Sequence, residues 1–305
     1  MKKLNTAVLC LIIANVIWGA ASPIFKFALQ NVPPFSLAFL RFLFACLLLY
    51  PFLHKQLDWK DLKNKWLVWM SVLGISINIG FFFLALQKTE SINAPIIASS
   101  APIFILIGSM VFLKERVQLH SIAGVILSFL GILLIIIQPL LQHSADGEII
   151  GNLLLIISTL GTVGHTLIAR KIMTPKNALP FTYWSFFIGM ISFLPFMLLE
   201  FTRHPTWMAT LDYRGIIGIV FGAIFSSSIA YICYNYALSK LPAFEVGVFT
   251  YMDPIVSVAI AIPLLGEKIT LPFILGSFLA FVGILVAEKR IHYHPIHYLV
   301  KKNSL

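Results

Sequence analysis

Asp253 stands in the stretch VFTYMDPIVS, residues 248–257, which is otherwise fit for hydrocarbon and carries a proline directly behind the acid. A carboxylate buried in lipid costs at least ~2.5–3.5 kcal/mol on insertion scales, so it must find a partner, a proton or a watery cavity. Arg41, in LAFLRFLF (37–44), is the basic residue in a comparable setting. Two chemistries stay open for this pair. They could form a static ion pair that fixes helix packing, or they could line a pocket in which Asp253 meets an ammonium group or a coupling proton and Arg41 meets a carboxylate. Further polar residues recur at helical spacing and would join the same pocket: Trp18 and Ser22, Asn78, His165, Tyr231 and Tyr234, and Thr250. Serine, threonine and asparagine in such positions also serve as glue between helices. His165 could donate, accept or relay a proton, or simply pack against a hydroxyl. Pro102 and Pro254 lack an N–H, which would free the carbonyls of Ala98 and Thr250 as helix breaks beside a cavity.

These residues need elements to hold them, and composition says of what kind. The chain has 305 residues, of which 59% are hydrophobic and 11% charged, with a mean hydropathy of +0.92. Soluble domains are roughly a quarter charged, so this is an integral membrane protein of the all-α class. Ten apolar stretches approach the ~20 residues needed to cross the hydrocarbon, at 5–28, 33–53, 66–87, 91–113, 119–140, 149–170, 180–200, 213–238, 243–264 and 271–288. If the N-terminus is cytoplasmic, sixteen Lys and Arg fall on inside segments. Five fall outside, at Lys26, Lys88, Arg203, Arg214 and Lys268. That asymmetry predicts both termini in the cytoplasm. The net charge of +10 is then topogenic, and no basic domain offers itself to nucleic acid. The run from Leu4 to Leu29 is longer than a signal-peptide core and reads as the first span. Cys10, Cys46 and Cys233 fall within spans and imply no disulfide framework. The tail histidines 292, 294 and 297 lack a further ligand set, so neither a metal nor another cofactor is expected.

An internal repeat organises the spans. ALQK at 85–88 matches ALSK at 237–240. At the same offset of 152, Pro102 matches Pro254, Glu115 matches Glu267, Gly124 matches Gly276, and Gly131 matches Gly283. Earlier in the repeat the offset is 144, pairing Lys26 with Arg170 and Pro51-Phe52 with Pro195-Phe196. The expected organisation is a first five-helix repeat at 1–141, an extracytoplasmic connector at 142–148, a second repeat at 149–290 and a cytoplasmic tail at 291–305. Because five is odd, the second half enters the bilayer from the opposite face, an inverted repeat with a site expected near the midplane at the repeat interface. Counted at 1.5 Å per residue from Ala243 and Pro33, Asp253 lies ~15 Å in from one face and Arg41 ~12 Å in from the other. Their depths agree.

With these elements in place, the chain resembles the EamA-type branch of the drug/metabolite transporter superfamily over about residues 6–288. The likeness rests on Trp18-Gly19 with Lys26, Leu40-Arg41-Phe42, Ala85-Leu86, Pro102-Ile-Phe through Leu113-Lys-Glu-Arg116, and Gly124 with Gly131. Second-half echoes are Tyr236-Ala-Leu238, Asp253-Pro254 and Leu265-Gly-Glu-Lys268. The resemblance implies a ten-helix secondary transporter of the inner membrane that moves small metabolites outward by alternating access, often amino acids or related compounds. It also makes Glu115 and Glu267 family anchors. A carrier of sugar phosphates or nucleotide sugars is the alternative, although it would want more cations than Arg41. A membrane-embedded enzyme is a further alternative, but no Gly-x-Ser-x-Gly, His-Glu-x-x-His or one-faced carboxylate cluster supplies a nucleophile and base. The expected partners are therefore a small-molecule substrate, the lipid bilayer and a coupling proton.

Overall fold

The computed structural model describes residues 2–101, 103–104, 119–141, 147–241, 246 and 249–288. Pro102, Glu115, residues 142–146 of the connector and the tail lie outside the described residues. The described residues contain helices and no strand. In chain order the helices are α1 (Lys2–Ala28), α2 (Pro34–Leu53), α3 (Lys65–Leu86), α4 (Asn93–Ala98) and α5 (Leu119–Leu141). They continue as α6 (Gly147–Ile172), α7 (Ala178–Arg203), α8 (Tyr213–Leu238), α9 (Asp253–Leu265) and α10 (Leu271–Glu288). Among the described residues, six are long and apolar enough to cross a membrane: α1, α2, α3, α6, α7 and α8.

Both faces of these helices are apolar, which is what a bilayer solvent requires. On α2, Leu37, Phe42 and Ala45 are fully buried, while Phe44, Leu47 and Phe52 point outward. With no hydrophobic drive between helices in lipid, close packing and polar contacts must hold them together. Close packing is plainest between α5 and α10. A Cβ on Gly131 would stand 2.4 Å from the Ala280 amide nitrogen, and one on Gly276 would stand 2.8 Å from the Gly131 carbonyl oxygen. Only a hydrogen in place of each side chain lets the two backbones touch.

Several helix termini carry ordinary local signals. Pro34 opens α2, where its missing N–H costs nothing. Asp212 accepts the Arg214 N–H at the start of α8. Gly266, at φ 68°, closes α9 in a left-handed conformation. Two helix starts are instead capped from a distance. Glu200, at the end of α7, accepts the N–H groups of Phe35 and Ser36 at 3.0 and 2.7 Å. Glu267 accepts those of Ser91 and Ile92 at 2.7 and 3.1 Å, ahead of α4. Lys26 pairs with Glu267 at 2.9 Å.

α1 lies between α8 and α9, α6 lies between α3 and α4, and α2 packs on α7. α3 and α8 each contain a wide π-helical segment, Val72–Ile77 and Phe221–Ile229. A single 3₁₀ turn, Phe249–Met252, leads into α9. The expected ninth stretch therefore passes from 3₁₀ to α-helix at Asp253, and Pro254 occupies the first turn of α9 instead of kinking a helix interior. There the proline ring removes no α-helical bond of α9, since the first N–H groups of a helix have no partner within it.

Candidate functional site

A cavity of about 170 Å³ opens among α1, α2, α3, α4, α6, α8 and the α9 start. It has room for on the order of ten water molecules. Each of the nine pocket residues expected from sequence is in its wall: Trp18, Ser22, Arg41, Asn78, His165, Tyr231, Tyr234, Thr250 and Asp253. Apolar wall is supplied by Phe25, Ile79, Phe82, Ala98 and Ala101, among others.

The ion pair between Arg41 and Asp253 is not made. Among the described residues, ion pairs join Lys26 to Glu267 and Arg214 to Asp212. Arg41 is 1% exposed and donates through Nε to Ser227 Oγ at 3.0 Å and through Nη2 to Ser226 Oγ at 3.1 Å. Its guanidinium carbon lies 4.8 Å from the ring centres of both Phe25 and Phe42 and 5.8 Å from that of Phe83. Hydroxyls and ring faces thus stabilise the cation without neutralising it. Asp253 has its Oδ1 buried with no hydrogen-bond partner. One cavity therefore holds a positive and a negative group that do not satisfy each other.

Most other polar wall residues are engaged in packing. The Asn78 side-chain amide donates to Ser158 O and Oγ, both at 2.9 Å, and to Thr162 Oγ1 at 2.7 Å, binding α3 to α6. Ser22 Oγ lies 3.0 Å from Ser257 Oγ, joining α1 to α9. Tyr234 and Thr166 share a hydroxyl contact at 3.2 Å. Trp18 donates its indole N–H to the Ser226 carbonyl at 3.2 Å. His165 Nδ1 faces the Met70 carbonyl at 3.2 Å. A carbonyl can only accept, so Nδ1 carries a proton there, and Nε2 is buried beside the Asn235 side chain.

The sequence repeat explains why the charges are single. At offset 144 Arg41 corresponds to Ser185, and at offset 152 Asp253 corresponds to Ala101. Ser185 is buried against Ser71 at 2.9 Å, and Ala101 is a small apolar piece of the cavity wall. Each charged group thus corresponds in the sequence repeat to a small uncharged one, and each charge is carried by one copy of the repeat alone.

Three contributions were missed from the sequence. Ser226 belongs to a run of three serines, 226–228, that signalled a polar patch inside an apolar helix. Phe25, in contact with Arg41, is one of 26 phenylalanines and carries no signal of its own in the sequence. Lys26, counted among the outside cations, is tied to Glu267, which Ser91 and Ile92 anchor within its reach.

The EamA-like transporter family model matches residues 5–137 and again 149–288. The chain belongs to the EamA-like transporter family. An uncharacterized transporter of Archaeoglobus fulgidus is 30% identical over 280 residues, covering 90% of this chain and 95% of that protein. A probable amino-acid metabolite efflux pump of Salmonella typhimurium is 26% identical over 284 residues, covering 89% and 91%. A solved crystal structure superposes with a TM-score of 0.64 at 18% identity, over 94% of this chain and 99% of the other, a likeness of fold. This EamA-family member is therefore a multi-pass membrane transporter protein, and the cavity is its candidate substrate site.

Proposed function

We propose that this EamA-family protein carries small amino acids or related amphipathic compounds out across the cytoplasmic membrane by alternating access. The observation that carries the reading is the unneutralised pair in the cavity. A zwitterion can place its carboxylate on Arg41 and its ammonium on Asp253, countering two charges that the protein does not pair with each other. The name of the Salmonella relative, a probable amino-acid metabolite efflux pump, supports the same cargo class. In this reading Trp18, Ser22, Asn78, His165, Tyr231, Tyr234 and Thr250 shape the space between the two charges. A proton is the proposed coupling ion, taken up where Asp253 lacks a partner.

The architecture that goes with this function is two inverted five-helix repeats, at 1–141 and 149–290, with both termini cytoplasmic. Two separate family matches support it. So does the packing, in which α1 against α8 and α9 has its counterpart in α6 against α3 and α4. The sixteen-to-five distribution of Lys and Arg supports the orientation. A carrier of phosphorylated sugars fits less well, since Arg41 is the only Lys or Arg among the described lining residues.

Uptake of labelled amino acids into inside-out vesicles, with and without an imposed pH gradient, tests the proposal. Accumulation that is lost in both Asp253→Asn and Arg41→Gln, with each variant still inserted, is the expected result. Normal flux in both variants overturns the site, and no flux of any amino acid overturns the cargo.

A further inference from the structure

The two π-helical segments are features that the charged pair does not use, and they occupy equivalent places in the repeat. In α3 the Asn78 N–H is shared between the Ile75 carbonyl and the Leu73 carbonyl, the latter five residues back. In α8 the Ala230 N–H reaches back to the Phe225 carbonyl. Each donor and each acceptor is separated from its counterpart by 152 residues, the offset of the repeat. An α-helix would have sent these N–H groups to the carbonyls of Gly74 and Ser226 instead. The π turns release those two carbonyls, and a carbonyl at membrane depth without a donor costs several kcal/mol.

Both released carbonyls are met by aromatic side chains of the cavity wall. Trp18 gives its indole N–H to Ser226 O at 3.2 Å. Tyr231 turns its hydroxyl to Gly74 O at 3.4 Å, so a residue of α8 holds the carbonyl of α3. The Trp18 and Tyr231 rings touch edge to face, with centroids 5.1 Å apart. Gly74 O, Tyr231, Trp18 and Ser226 O therefore form one chain across the cavity, and it joins the two π turns. The backbone of α6 is pressed on the first turn, where a Cβ on Gly161 would stand 2.6 Å from Leu73 O.

Wide turns of this kind are local defects at which a helix can change its bend by exchanging one hydrogen bond, and they concentrate at functional sites. We propose that the paired π turns of α3 and α8 are the hinges of transport, and that Trp18 and Tyr231 are positioning residues that couple both hinges to the contents of the cavity. The proposal rests on the transporter reading but not on the identity of the cargo. A molecule that enters the cavity meets the Trp18–Tyr231 contact, and any shift of either ring alters the hold on both carbonyls at once. The two halves then bend together, as alternating access of an inverted repeat demands.

The test uses Trp18→Phe and Tyr231→Phe, which keep the ring and remove the donor. Cys10, Cys46 and Cys233 are first replaced by serine, and spin-label pairs are placed at the exposed residues Lys65 and Lys88 across the first hinge and Tyr213 and Lys240 across the second. Distance distributions are read in lipid nanodiscs without any ligand, alongside amino-acid flux in vesicles. Two bend populations are expected in the parent, and each variant should shift their ratio about five-fold at both hinges, the weight of one hydrogen bond. Turnover should fall with KM changed less than two-fold. Unchanged distributions in both variants, or an effect confined to KM, would overturn the proposal. Should a variant fail to insert, amide exchange in the parent decides: faster exchange at 75–79 and 227–231 than in the flanking turns supports hinges, and uniform protection refutes them. Responsive bends in a protein that moves no amino acid would remove the proposed cargo and leave the hinges standing.

Discussion

Replacing Asp253 by asparagine separates two roles that a flux assay alone would confuse. If the carboxylate held Arg41 in a buried pair, its removal would strand a cation and cost about 3–5 kcal/mol of stability. In the structure Arg41 is held by Ser226 and Ser227 and by three phenylalanine rings, and Asp253 Oδ1 has no partner. Asparagine then removes a group whose burial at such depth is priced at ~2.5–3.5 kcal/mol on insertion scales and breaks no ion pair. We expect Asp253→Asn to be more stable by about 1–3 kcal/mol, which corresponds to a rise of several degrees in melting temperature, and to be inactive. The assay is thermal unfolding in detergent, paired with vesicle flux on the same preparation. A variant that is destabilised by the amount expected for a broken buried pair would refute the reasoning, as would full transport.

Arg41→Lys should lose transport nearly as completely as Arg41→Gln, because an ammonium cannot reproduce two directed bonds to hydroxyls and stacking on two rings; vesicle flux checks this. Glu267→Gln should lower stability by about 1–3 kcal/mol, through loss of the Lys26 pair and weaker acceptance from Ser91 and Ile92, and Lys26→Met should recover part of that loss in a thermal melt of the double variant. Glu90, in the turn after α3, has its carboxyl pushed up to about 7 by burial and by the nearby charges of Glu267 and Glu148, with Lys26 opposing them. The fold therefore binds the Glu90 proton more tightly than the unfolded chain does, so stability should fall as pH rises from about 4.5 to 7, and Glu90→Gln should flatten that slope in melts across the range. Gly131→Val should destabilise by at least ~1–3 kcal/mol, because α5 and α10 must separate to admit the side chain; yield after membrane extraction and melting temperature report it.

Much of this architecture is legible in the residues themselves. Hydrocarbon forces backbone groups to pair within a helix, so apolar length alone delimits α1, α2, α3, α6, α7 and α8 to within a few residues. The cost of burying polar atoms in lipid likewise singles out Trp18, Arg41, His165, Tyr231 and Asp253, and all of them reach one cavity. Which partner each polar atom takes could not be read in the same way. Asn78 is engaged by Ser158 and Thr162, Lys26 by Glu267, and Arg41 by hydroxyls in place of Asp253. Those choices depend on distances of a few tenths of an ångström between helices far apart in the chain, and helical periodicity specifies a face, not a neighbour. The π turns were hidden for a related reason. Local propensity does not distinguish a bond that reaches back five residues from one that reaches back four, and the carbonyls released at Gly74 and Ser226 persist only because Tyr231 and Trp18 arrive to meet them. The sequence by itself determined which residues could not be left in lipid, since that is a property of each side chain against its solvent. The tertiary structure alone decided how they satisfy one another and that Arg41 and Asp253 do not pair with each other, since that is a property of the space between helices.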